Sequence, residues 1–167
     1  MIIVGIDIGV SGAIAALDDE TEAFTAVHDM PTLHDGPNGR RTINAPLLAE
    51  IIAQSHAGRA YVEWVGPRPK EGAVGAFAFG RARGVVEGVC AALVIPVVFL
   101  TAPKWKRIVG IAPGKNGAKD SARSMAIQRW PGSADLFKRV KDDGRAEACL
   151  IAHAGLLISG VTDGSVR

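Results

Sequence analysis

One acid, Asp7, interrupts the otherwise apolar, β-branched run Ile2–Ile8. Such a run reads as a strand buried on both faces. A carboxylate inside it costs several kcal/mol unless it is paired, hydrogen-bonded or bound to a cation. The bland alternative is an Asp capping the turn at Gly9. The short strand Ala60–Glu63 repeats the pattern by ending in Glu63. If the two strands are neighbours, both acids lie at adjacent strand ends, where open α/β sheets place their ligands.

The last predicted helix, Asp143–Ile158, adds two more carboxylates. Asp143 and Glu147 are four residues apart and share one face. Asp142 competes with Asp143 for the same role. Behind them Ala148, Ile151, Ala152 and Gly155 form a small apolar face suited to close packing on a sheet. Four such acids gathered without cations would repel one another. All-oxygen ligands select hard cations, Mg²⁺ or Mn²⁺. Two such ions about 4 Å apart can clamp an in-line phosphoryl displacement. An anionic substrate also needs cations outside the metal site; Lys119 is the first choice, with Lys115 and Lys106 as alternatives.

The rest of the chain supplies the scaffold. Ala13–Leu17 and Ala23–His28 read as strands that complete a three-stranded meander. Residues 31–41 read as a polar loop. Asn44 caps a predicted helix over Ala45–Ser55. Further helices are predicted over Ala73–Leu93, Pro103–Val109 and Ala118–Trp130, with a strand over Pro96–Leu100 and a connector over 131–141. The expected fold class is α/β: a mixed five-stranded sheet with helices on both faces. One domain over 1–158 and a short tail over 159–167 are expected.

Charge narrows the partner. The net charge is only +2, yet Gly66–Trp130 holds eleven Lys/Arg against three Asp/Glu. A basic middle points to a polyanion-binding face. Either nucleic acid binds there or the surface is merely solvated and basic; the candidate nucleic-acid contacts are Arg68, Lys70, Arg81, Lys104, Lys106, Lys115, Lys119 and Arg123. Cys90 and Cys149 sit in apolar helical settings as buried thiols, and no CxxC pair suggests zinc. The four histidines lack metal-ligand spacing. No apolar run reaches the ~18 residues of a membrane span, and the first residues read as a core strand rather than a leader. The cytoplasm is the expected compartment.

Five blocks, GIDIGVSGAIA, YVE, FGRARGVVEG, Trp105-Lys106 and KDDGRAEACLIA, together resemble the RuvC-type Holliday junction resolvases, especially their phage-encoded branch. The resemblance covers about Met1–Leu157. It implies an RNase H-like fold, a homodimer, and Mg²⁺-dependent endonuclease action on branched DNA. It implies metal-binding roles for Asp7, Glu63, Asp143 and Glu147, and phosphate-contacting lysines near Lys106 and Lys119. The chain departs from the cellular pattern in two places. Its last two acids are four rather than three apart, and Gly66 stands where those enzymes carry an aromatic wedge. Trp64 either stacks on a base or packs in the core; Trp105 reads as a packing anchor. The glycines at 75, 80, 84 and 88 mark a helix like the family's dimer-forming one, or else close packing within one subunit. Rival readings are a non-catalytic branched-DNA-binding module and an actin-like ATPase or kinase. The latter needs a second such domain around a nucleotide cleft, so no nucleotide cofactor is expected.

Overall fold

The computed structural model describes residues 1–35, 38–66, 72–112 and 118–163, without the side chains of 118, 119 and 161–163. Strands β1 (Ile2–Asp7), β2 (Ala13–Asp18) and β3 (Phe24–Asp29) form the expected meander. A hairpin, β4 (Thr32–Asp35) and β5 (Arg40–Ile43), precedes α1 (Ala45–Gln54). Next come β6 (Ala57–Glu63), α2 (Ala73–Ala92), β7 (Val97–Leu100), α3 (Ala102–Ile108), α4 (Ala118–Arg129) and α5 (Asp143–Asp163).

The main sheet has the order β3-β2-β1-β6-β7. β1 pairs antiparallel with β2 and parallel with β6, and β6 runs parallel to β7. The apolar run of β1 now has a cause, since Ile3, Val4 and Ile6 are fully buried. Ile3 faces a core shared with Trp105 of α3, Ala122 and Ala126 of α4, and α5; Val4 and Ile6 face the core shared with α1 and α2. The sheet is therefore mixed, five-stranded and covered by helices on both faces, as its sequence predicts.

α5 lies almost on the backbone of β1. A Cβ at Gly5 would overlap the Ala148 carbonyl and the Ala152 backbone nitrogen, and one at Gly155 would enter the Tyr61 ring. The small face read from Ala148, Ala152 and Gly155 thus sets a close helix–sheet approach, which brings Glu147 to the end of the sheet. Asn44 caps α1 by accepting from the Leu47 N–H at 3.3 Å.

Three expectations are corrected. The polar loop over 31–41 contains the β4–β5 hairpin, which among the described residues pairs only with itself, through Thr32↔Ile43 to Asp35↔Arg40. The connector over 131–141 holds two 3₁₀ segments, Pro131–Leu136 and Val140–Asp142. Helix α5 passes the expected end at Ile158 and continues to Asp163, so residues 159–163 of the expected tail are helical.

Candidate metal centre

β1 and β6 are parallel neighbours with Ile6 opposite Val62. Their next residues, Asp7 and Glu63, therefore end the two strands side by side. Glu147 reaches the same point from the second turn of α5. One carboxylate oxygen from each of Asp7, Glu63 and Glu147 lies within 4.8 Å of the others, and all three side chains are partly buried. Desolvation, then the charges of Glu147 and Glu63, push the Asp7 carboxyl well above the usual carboxylate range. Burial and Glu147 also raise Glu63, while Trp105 and Lys106 oppose that rise.

Asp143 stands at the edge of this group. Its charge adds to the repulsion felt by Asp7, and its Oδ1 accepts from the Gly144 N–H at 3.1 Å. It lies outside the three-carboxylate cluster. Asp142, the alternative ligand, is turned away from it. Asp142 is buried and held by Arg139, whose Nη2 donates at 2.8 Å and backbone N–H at 2.9 Å. Arg139 keeps the Asp142 carboxyl below its ordinary value.

Lys106 enters the acid cluster itself. Its Nζ lies 3.2 Å from Glu147 Oε1, with the two side chains 25% and 19% exposed. The ammonium also sits 4.9 Å from the centroid of the Trp105 ring. Trp105 is fully buried, as a packing anchor should be. Its indole N–H has no partner at hydrogen-bonding geometry among the described residues. It nevertheless lies near enough to Glu63 to favour that group's charged form. Sequence reasoning missed this second role, because nothing in the spacing links residue 105 to residue 63.

The donor set fits a hard divalent cation. Three partly buried carboxylates offer only oxygen, and Lys106, the lysine paired here among the described residues, does not neutralise three acids. Asp7, Glu63 and Glu147 could hold such an ion directly, with Asp143 beside them.

Arg68, Lys70 and Lys115 lie outside the described residues, as does the side chain of Lys119 at the start of α4. Lys104 is exposed on α3. Arg81 on α2 pairs with Asp35 of the hairpin at 2.6 Å. Arg123 has a different role from the one expected. It is 14% exposed, ion-paired with Asp120, and donates to the Lys138 carbonyl at 3.4 Å, so its guanidinium ties α4 to the following segment.

Trp64 is 47% exposed and meets Phe99 edge-on at 5.5 Å between centroids. The Arg83 guanidinium covers its ring at 3.7 Å. A base could stack on that face only by displacing Arg83. Cys90 and Cys149 are buried free thiols, as expected. No described helix is long and apolar enough to cross a membrane.

No protein-family model matches the sequence, and no curated protein matches it. Solved structures do match in fold. A structure of Thermus thermophilus RuvC in complex with Holliday junction substrate superposes with a TM-score of 0.69 over 96% of each chain, at 15% identity. A second Thermus thermophilus RuvC structure gives 0.66 over 97% of each chain, at 17% identity. The chain thus shares the fold of RuvC over nearly its whole length.

Proposed function

We propose that this chain is a divalent-cation-dependent endonuclease that hydrolyses phosphodiester bonds in branched DNA, with four-way junctions as its first substrate and forks and flaps as further ones. The observation that carries this is the convergence of Asp7, Glu63 and Glu147 at one sheet end, in a fold shared with a RuvC bound to a junction.

In this reading Asp7, Glu63 and Glu147 hold Mg²⁺, or Mn²⁺ in its place, and Asp143 completes a site for two ions. Bound ions would activate water and stabilise the leaving 3′ oxygen. The chain's own groups position the strand. Lys104 projects from α3 into solvent, and Lys119 opens α4. Both would meet phosphates, as would Lys106 once Glu147 is engaged by a cation.

A homodimer fits the exposed face of α2. A Cβ added at Gly80, Gly84 or Gly88 would meet nothing within 4 Å among the described residues. Phe77 is 73% exposed on the same helix. Close packing within the subunit therefore does not account for these glycines, whereas a second copy would let two helices approach closely.

The test is a cleavage panel of junction, fork, flap and linear duplex with Mg²⁺ or Mn²⁺. Nicking of the branched substrates but not of the duplex is the expected result. Tight branched-DNA binding without cleavage in either ion would favour the non-catalytic module.

A further inference from the structure

The turn after β1 follows directly on Asp7 and borders a cavity of about 270 Å³, whose walls include Ser11, Gly12, Asp29, Arg41, Lys141 and Asp142. The turn is tightly packed. A Cβ at Gly12 would overlap the Asp7 carbonyl, and one at Gly144, three residues before Glu147, would press on Ser11 and Gly12.

The charges in this cavity do not cancel. Each aspartate already has an arginine of its own. Arg145 donates to both oxygens of Asp29, at 2.6 and 2.9 Å, and Arg139 holds Asp142. Arg41 and Lys141 remain without a carboxylate partner among the described residues, leaving two surplus positive charges in a concave, polar space. Arg41 is also fixed in place. Its Nη2 donates to the Val10 carbonyl at 2.8 Å and to Thr32 Oγ1 at 3.1 Å. The β4–β5 hairpin thus carries a guanidinium to the turn after β1 and holds it there with neutral acceptors.

A guanidinium held by neutral acceptors keeps its charge and its remaining N–H donors for an oxyanion. The cavity falls below the roughly 300–1,000 Å³ of small-molecule pockets, which suits a single phosphate better than a larger ligand. We propose that it seats a backbone phosphate of the nucleic-acid strand that passes the metal site, gripped by Arg41 and Lys141. This rests on the nuclease reading, and it assigns the hairpin a purpose: it holds a guanidinium beside the turn after β1, ready for a phosphate of the strand.

The test is binding of a four-way DNA junction to full-length Asp7→Asn protein, titrated over salt, with Lys141→Gln, Arg41→Gln and Arg41→Lys added singly. Lys141→Gln and Arg41→Gln should each weaken binding about three- to tenfold and reduce the salt slope by about one. Arg41→Lys, which keeps the charge but loses the fork, should fall between. Thermal melting of each variant checks that the fold survives. Unchanged affinity and slope in folded Lys141→Gln and Arg41→Gln overturn the site while leaving the nuclease reading intact. A parent with no salt-dependent DNA binding overturns both. Inorganic phosphate, titrated alone, separates the remaining source. Binding of that ion through Lys141, with DNA affinity indifferent to Lys141, would assign the cavity to a free anion and overturn the proposal.

Discussion

The Lys106 ammonium lies 3.2 Å from Glu147 inside the same acid cluster that would receive a metal ion. It is a cation built into the chain, and it opposes the repulsion among Asp7, Glu63 and Glu147. A divalent ion binding there would compete with it for Glu147.

Replacing Lys106 by Met should therefore destabilise the protein in EDTA by about 1–2 kcal/mol, between the limits for exposed and fully buried pairs. Divalent cation should recover most of that loss, so the metal-induced rise in Tm should be larger in Lys106→Met than in the wild type. Thermal melts with EDTA and with Mn²⁺ measure both effects. An equal or smaller metal-induced rise in the variant would show that Lys106 does not stand in for the ion.

The Asp7 carboxyl is raised well above its ordinary value, chiefly by burial and by Glu147. An acid raised in the folded state binds more protons folded than unfolded, so its stabilising contribution is present below the unfolded value of about 3.9 and is lost as pH climbs through the folded one. Metal-free wild type should lose stability relative to Asp7→Asn across that rise. Asp7→Asn should be the more stable of the two at neutral pH in EDTA. Denaturant melts at acid and neutral pH test this, and a gap between the two proteins that ignores pH would refute it.

The fold and the acids were legible in the sequence for one reason: carboxylates in apolar strands and a helix with a small face leave few arrangements open. Asp7, Glu63 and Glu147 meet where that logic puts them. The partner of Lys106 was not legible, because it depends on how α3 packs against α5. The β4–β5 hairpin escaped because its four-residue strands are mostly polar and, among the described residues, pair only with each other. The extension of α5 escaped because Gly160, Val161 and Thr162 are poor helix formers, so the local signal stops before the helix does. The grip of Arg139 on Asp142, three residues downstream, was not legible either, because no spacing rule encodes it.

Gly5 holds β1 against α5, and a methyl group there has nowhere to go but into the helix backbone. Gly5→Ala should cost about 3 kcal/mol or more, measured by urea denaturation. It should also weaken divalent-cation binding by moving Glu147 away from Asp7. A loss under about 1 kcal/mol would mean that α5 shifts freely and does not fix the site.

Gly84 sits mid-helix on the open face of α2. Gly84→Glu, paired with Phe77→Ser, should leave the monomer folded, since neither position packs inside the subunit. Light scattering should find a dimer for the wild type and a monomer for the double variant. A wild type that is monomeric at high concentration, or a variant that remains a dimer, would remove α2 as the interface.

The most direct measurement is a calorimetric titration of the protein with Mn²⁺ at neutral pH, alongside Asp7→Asn and Glu147→Gln. If the three carboxylates form one cation site, the wild type binds at least one ion, and each substitution weakens binding by more than about tenfold. Equal Mn²⁺ binding by all three proteins, or none by the wild type, would contradict it.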